Sequence, residues 1–503
     1  MSATWYNTSL RLINARDPDL TRVTTEALNA LIAANDPPTL FRFAGRIVRL
    51  EMGDTAQPIL RDLTAERLVE RLARIVFWYK EDAEGNRWRV RPPRAVAVNI
   101  LATPNLPLPI LDRVVTVPVF ALDGTLHRDE GYNSATRTIF VPLPGFVLVD
   151  VSLVPPGEEI EYAVELILLE LLGDFPFVGD AERAHALCAL LLPFVRDLIA
   201  GPTPLHLIEK PARGTGGTLL AHALCSPALG RSLSGISPAK EESEWRRTLF
   251  SRLRDVPSVL LIDNIHARLE SAALASMITA QHYSDRVVGT SDMLDVPIRC
   301  LWLATANNAL LSDEIARRTI RIRLDAKMER PELRTGFRHP DLMAWAEEQR
   351  EVLVWAALTV IQAWVAAGQP SGSKTFGGFE RWCAVMGGIL QVAGVPGFLE
   401  NSEDLSENSD ADATAFQGFL AVWCDRFGSQ PVTTADLFPL SEQLDLGNGE
   451  EHSRRIRLGR LLHRQRDRRI GDVRIEKVGL RAGAQNWRLV RKDANTASGT
   501  GSK

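Results

Sequence analysis

The chain has 503 residues, 45% of them hydrophobic and 24% charged, with a formal net charge of -4. That length asks for several hydrophobic cores, and the composition excludes a disordered, fibrous or minimal single-module protein. The small negative charge excludes a global polycation, so any affinity for nucleic acid has to be local.

Five scattered cysteines (Cys188, Cys225, Cys300, Cys383, Cys424) form no CxxC pair and have no histidine at zinc-finger spacing, which reads as a reduced, cytoplasmic compartment. The opening Met1 to Tyr6 has neither a basic start nor an apolar core and does not read as a signal peptide.

Residues 1–155 are predicted to be an N-terminal α+β accessory domain. Helices are expected over Thr24 to Ala34, Thr64 to Tyr79 and Arg94 to Leu101, the last opened by Pro92 and Pro93. Short strands are expected around Leu40 to Met52 with a turn at Gly45, and at Val114 to Ala121 and Arg137 to Val141 with Asp123-Gly124 as a turn between them. Two helices follow, Glu159 to Leu172 and Asp180 to Ala200, the second interrupted near Pro193. From Leu205 to Leu324 short apolar runs alternate with helical stretches, the pattern of a parallel sheet covered on both faces, and 156–330 is taken as one α/β domain.

Residues 331–430 read as a helical domain. Trp345, Trp355, Trp364, Trp382 and Trp423 sit there at helical spacing and are assigned to packing. The uncharged run Val352 to Gly368 continues the polar Glu347 to Glu351 stretch, so a buried bundle helix is favoured over a membrane span. Asn401 to Asp412 reads as a solvated acidic loop, 431–492 as the last folded unit, and 493–503 as a disordered polar tail.

The chemistry concentrates in the α/β segment. Leu205 to Ile208, then Glu209-Lys-Pro-Ala-Arg213-Gly214-Thr215-Gly216-Gly217-Thr218, then Leu219 to Leu224 reads strand, glycine-rich loop, helix. Such a loop turns N–H groups inward beside a helix N-terminus and can hold phosphate. Thr218 falls where a phosphate loop places its magnesium-binding hydroxyl, but Pro211 replaces the first glycine of GxxxxGK[ST] and Gly217 stands at the lysine position. Lys210 and Arg213 are the nearest cations that can supply the missing charge. Downstream, Ser258 to Asn264 is an apolar strand delivering Asp263 at its end, a carboxylate suited to magnesium and its water. Cys300 to Asn308 is a second apolar strand, whose Asn307 or Asn308 can sense a γ-phosphate, and Arg317 or Arg318 can act in trans as an arginine finger.

These four elements, in this order over residues 205 to 324, resemble the ATPase core of AAA+ proteins, and more closely that of superfamily 3 helicases and the helicase halves of phage and plasmid primase-helicases. The features that carry the resemblance are Asp263-Asn264, the Thr305-Ala-Asn307-Asn308 run and the Arg317-Arg318 pair before an alternating strand. It implies an ATP- and Mg2+-dependent helicase or replication-initiation ATPase of a mobile element, working as a homo-oligomeric, hexameric ring on single-stranded or origin DNA. A separate polypeptide would supply any primase. The sites it implies are Asp263, Asn264, Asn307, Asn308, Arg317 and Arg318 for catalysis, and Lys210, Arg213, Gly214, Thr215, Gly216, Gly217 and Thr218 for nucleotide, with Thr218 and Asp263 at the metal. The glycine at 217 leaves three outcomes open: a compensated ATPase, a nucleotide binder that hydrolyses slowly, or a catalytically inactive scaffold or DNA-binding assembly factor.

Two regions are candidates for nucleic acid. His282 to Pro297 reads as two strands about a turn at Gly289 to Asp292; it is a plain surface hairpin or, as the resemblance implies, a channel hairpin presenting Arg286. Between His452 and Lys492 there are fourteen Lys/Arg against three Asp/Glu, an asymmetry that marks a phosphate-binding face. Ser453 to Arg466 is predicted to be an amphipathic helix packing Ile456, Leu458, Leu461 and Leu462 and presenting Arg454, Arg457, Arg460 and Arg464, with Arg468 beyond. Val473 to Val478, carrying Arg474 and Lys477, and Asn486 to Val490 supply the wing of a winged helix.

Overall fold

The computed structural model describes residues 10–54, 56–210, 214–266, 268–287, 293–307, 311–328, 330–401, 403–444, 446, 450–466, 469–470, 473–481 and 484–491; of these, the side chains of 403–414, 464, 469, 470, 480, 481, 484 and 491 are not described. Two compact units divide at Ser402/Glu403.

In the first unit, the N-terminal part builds helices Leu20–Ala33, Ala65–Ile75 and Arg94–Ala102 around Leu31, Leu40, Leu68, Leu72, Trp78 and Ile100. Strands Leu40–Phe43 and Arg46–Met52 pair antiparallel across Ala44 and Gly45, whose φ angles of 46° and 76° make the tight turn expected at Gly45. The helix expected to reach Tyr79 stops at Ile75. Val76–Glu81 is instead a strand, parallel to Arg11–Asn14, because the β-branched and aromatic run Val-Phe-Trp-Tyr packs better on a sheet than on a helix. Asp123-Gly124 is a turn, but it joins Val119–Phe120 to Leu126–His127 rather than to the strand at Thr138–Phe140.

A five-stranded parallel sheet forms the heart of this unit, in the order Gly235–Ile236, Val259–Ile265, Leu301–Asn307, Leu205–Lys210, Thr319–Arg323. Its inner strands are buried along almost their whole length, as near-continuous apolar runs require. Helix Asp180–Val195 is buried on nearly every face and lies against the sheet and against helix Gly217–Leu229. It runs through Pro193 instead of breaking there: the proline sits in the last turn, and Arg113 donates to its carbonyl at 2.9 Å.

Helix Arg350–Ala366 is buried all round from Leu353 to Trp364 and joins the same core, as do Trp355 and Trp382. No helix among the described residues is long and apolar enough to cross a membrane.

Two histidines in this core predict an acid-sensitive stability. His185 accepts from the Leu399 N–H at 3.1 Å through Nε2, so its proton sits on Nδ1, 2.9 Å from the Arg321 carbonyl. His206 is fully buried with its ring edge-on to Trp382. Burial lowers His185 to about 4 and His206 to about 3, from an ordinary 6.5. Both are therefore held neutral in the fold while the unfolded chain takes up protons below 6.5, so their contribution is complete above that pH and is lost as pH falls toward 4 and 3. The urea midpoint is expected to be flat above pH about 7 and to fall between about 6.5 and 4, with a shallower fall in His206→Phe; identical slopes in both proteins would remove His206 as a cause.

In the second unit, helix Glu403–Phe427 replaces the loop expected at 401–412. The Phe416, Phe419, Leu420 and Trp423 stripe gives the helix a face to bury. That stripe packs with Leu437, Leu458, Leu462, Ile475, Trp487 and Leu489. Helix Glu451–Gln465 is followed by a sheet in which Val473–Arg481 and Ala484–Arg491 form an antiparallel hairpin. The tail 493–503 lies outside the described residues.

Candidate functional site

Because the five strands are parallel, their carboxyl ends open on one edge, the place where an α/β sheet gathers chemistry from distant segments. Lys210 and Asn307 end neighbouring strands and are paired in register. The next strand over, Val259–Ile265, carries Asp263 and Asn264 just before its last residue, where its register with the neighbouring strand shifts. Gly214 and Gly216, with φ of 80° and 93°, occupy left-handed conformations, and Gly216 caps helix Gly217–Leu229. The first N–H groups of that helix have no intrahelical acceptor by geometry, which makes a helix N-terminus a place for an anion. Pro211, Ala212 and the predicted Arg213 lie outside the described residues.

Around Gly217 the space is tight. A Cβ built there would lie 3.1 Å from Lys210 Cδ, 3.3 Å from Lys210 Nζ and 3.4 Å from Ile208 Cγ2. Burial pushes the Lys210 pKa down and the nearby Asp263 carboxylate pushes it back up.

Asp263 is half-buried and accepts two hydroxyl hydrogen bonds on Oδ1, from Thr218 Oγ1 at 3.3 Å and from Thr305 Oγ1 at 2.6 Å. Thr305 Oγ1 in turn accepts the Asn264 N–H at 2.8 Å. Asn264 is exposed and has φ of 64°, a left-handed conformation that asparagine tolerates better than most residues. Asn307 Oδ1 is buried with no hydrogen-bond partner among the described residues. Asn308 falls outside them.

Thr305 is a site residue that the motif reading passed over. Its signal was present two residues before Asn307, but only strand pairing shows that it clamps Asp263. Two further neighbours carry no sequence signal: the Phe175 ring lies against Gly216, and Glu332 against Gly214. On the strand before Lys210, Glu209 pairs with Arg321 in a buried ion pair.

Arg317 and Arg318 are not brought to this edge. They precede strand Thr319–Arg323, and the Arg318 carbonyl accepts from the N–H of Leu205, the first residue of the strand that ends at Lys210. At a rise of about 3.3 Å per residue that puts them roughly 16 Å from the phosphate loop of their own chain. Arg317 is exposed and donates to the Asp313 carbonyl at 3.2 Å; Arg318 donates to that of Glu314 at 2.5 Å. Arg286 ends the first strand of the hairpin His282–Arg286/Met293–Pro297, exposed, with the turn itself outside the described residues.

In the second unit, Leu458 and Leu462 are fully buried and Leu461 packs beside them, whereas Ile456, expected inside, is 45% exposed. One apolar row at i, i+4 is enough to seat this helix, and Ile456 falls on the outward side with Arg455 and Arg460. Arg454 is half-buried over the Phe438 ring, and Arg457 donates to Ser453 Oγ at 3.1 Å. Arg474 and Lys477 are exposed on the hairpin, Arg474 paired with Glu476, which also takes Arg488 at 2.6 Å. The Arg464 side chain and Arg468 lie outside the description.

No protein-family model and no curated protein matches the chain. Among solved structures, the apo C-terminal region of NrS-1 is 12% identical with a TM-score of 0.35, over 92% of this chain and 98% of that one. The Cch active helicase of SCCmec type IV is 11% identical with a TM-score of 0.33, over 89% and 91%. The JCV helicase is 15% identical with a TM-score of 0.20, over 53% and 72%.

Proposed function

We propose that this chain is an ATP-dependent DNA motor of the helicase or replication-initiation kind, with its nucleotide at the carboxyl edge of the parallel sheet. The observation that carries the reading is the convergence on Asp263 of the hydroxyl of Thr218, from the phosphate-loop helix, and that of Thr305, from the adjoining strand. This donor set fits Mg2+, which takes oxygen ligands, keeps several waters and is commonly held by one hydroxyl and one carboxylate beside a triphosphate. When bound, the ion would neutralise charge on the phosphate oxygens.

The protein's own part is positional. The turn at Gly214 to Gly217 and the helix N-terminus hold phosphate oxygens, Thr305 fixes the Asp263 carboxylate, and the open acceptor of Asn307 orients water at the strand tip. Arg317 and Arg318, on the far edge, act on the nucleotide of a neighbouring copy in a ring; their placement favours a role in trans because they are remote from their own phosphate loop. The test is MgATP binding and hydrolysis by the purified chain with and without single-stranded DNA. Absence of any MgATP affinity in both conditions overturns the reading and leaves the inactive scaffold, which the glycine at 217 favours.

The C-terminal unit is proposed to be a winged helix that grips DNA through the outward face of Glu451–Gln465 and the basic hairpin. Exposed Arg460 contacts phosphate and exposed Ile456 lies among the cations as an apolar contact to DNA. Arg460→Ala should weaken binding of a labelled duplex about equally for unrelated sequences and lower the slope of log K against log salt by about 1. Unchanged anisotropy titrations across salt would take Arg460 off the interface.

A further inference from the structure

We propose that Lys210 is the phosphate-binding cation of this site, reaching it from the strand side, and that residue 217 is glycine because Lys210 fills the space its side chain would need. The proposal rests on the nucleotide reading above and names the residue that replaces the usual lysine of the loop.

Three observations carry it. The Lys210 stem and ammonium run past the Cα of Gly217, so close that a Cβ would sit 3.1 Å from Cδ and 3.3 Å from Nζ. A lysine at 217 would need the end of Lys210 to give way by a few tenths of an ångström, and two ammonium groups would then compete for one space. The neighbouring carboxylate on the same strand does not consume the charge of Lys210: Glu209 is engaged by Arg321, and successive strand residues point to opposite faces. Lys210 is also the register partner of Asn307, whose buried Oδ1 has no partner among the described residues. A half-buried cation and an unsatisfied buried acceptor thus stand side by side at the mouth of a glycine-rich turn, an arrangement that a phosphate and its water would complete.

The position of the charge differs from a lysine carried by the helix, but the interaction is the same in kind. An ammonium drawn partly out of water gives a stronger contact to an anion than one on the surface, and the attraction of a bound phosphate offsets the cost of its desolvation.

The experiment is a titration of a fluorescent MgATP analogue into the full chain, with thermal melts to verify folding. Lys210→Met keeps the unbranched stem and removes the charge. It should weaken binding about 10- to 100-fold, the range for losing a hydrogen bond to a charged group. Gly217→Lys alone should bind more weakly than the parent, because the new side chain displaces the end of Lys210 and sets a like charge beside it. The double change Lys210→Ala with Gly217→Lys vacates that space and should bind at least about 10-fold better than Lys210→Met.

If the parent binds and Lys210→Met binds as well as the parent, the assignment of Lys210 falls while the nucleotide site stands. Improvement by Gly217→Lys in the Lys210 background also overturns it, because the two side chains would then be compatible. If the parent binds no nucleotide, the functional reading itself fails and takes this one with it.

Discussion

Asp263→Ala is expected to lower MgATP hydrolysis by about 100-fold or more, with little change in the thermal melt. The carboxylate is the acceptor on which the phosphate-loop helix and the central strand converge, through Thr218 and Thr305. Its removal takes away the negative charge placed to hold the metal's water, while the strand around it, Val259 to Ile262, stays packed. Thr305→Val is the companion change. It keeps the shape and removes the 2.6 Å hydrogen bond, so kcat should fall about 10-fold through loss of carboxylate orientation, with a smaller change in KM. If Asp263→Ala hydrolyses MgATP at the parental rate, turnover does not occur at this edge.

The largest effect on stability is expected from Arg321→Ala. Arg321 and Glu209 form an ion pair whose side chains are 10% and 6% exposed, joining neighbouring strands beneath the phosphate loop. Taking one partner leaves a buried carboxylate without compensation, which costs about 3–5 kcal/mol. Replacing both, as Glu209→Leu with Arg321→Met, removes the stranded charge and should recover most of that loss. Urea unfolding of the two variants and the parent measures the difference. A midpoint for Arg321→Ala within error of the parent would mean that solvent reaches Glu209.

Much of the site was legible because its motifs are local. The glycine run at 214–217, the acid closing Val259 to Ile262 and the polar end of Leu301 to Ala306 each announce a strand end or a helix start within a few residues. The role of Thr305 is not local. Its hydroxyl matters only because the strands at 259–265 and 301–307 are neighbours, a pairing of segments some forty residues apart. Ile456 shows the converse: the helical period places it near the apolar row, but one row of Leu458 and Leu462 suffices, and the packing leaves it outside. The Ser, Asn and Asp content of 401–412 predicts a loop, whereas the helix is set by the Phe416 to Trp423 stripe downstream.

The amino-acid sequence by itself determined the α/β alternation, the order of the phosphate-loop, carboxylate and asparagine segments, and the concentration of cations after residue 452, because backbone period and charge are properties of neighbours along the chain. Tertiary structure alone decided which strand lies beside which, and therefore that Thr305 clamps Asp263, that the Arg317-Arg318 pair sits on the far edge, and that the Lys210 side chain fills the space beside Gly217. Those relations depend on distances between residues remote in sequence, set by how buried strands and helices fill one core.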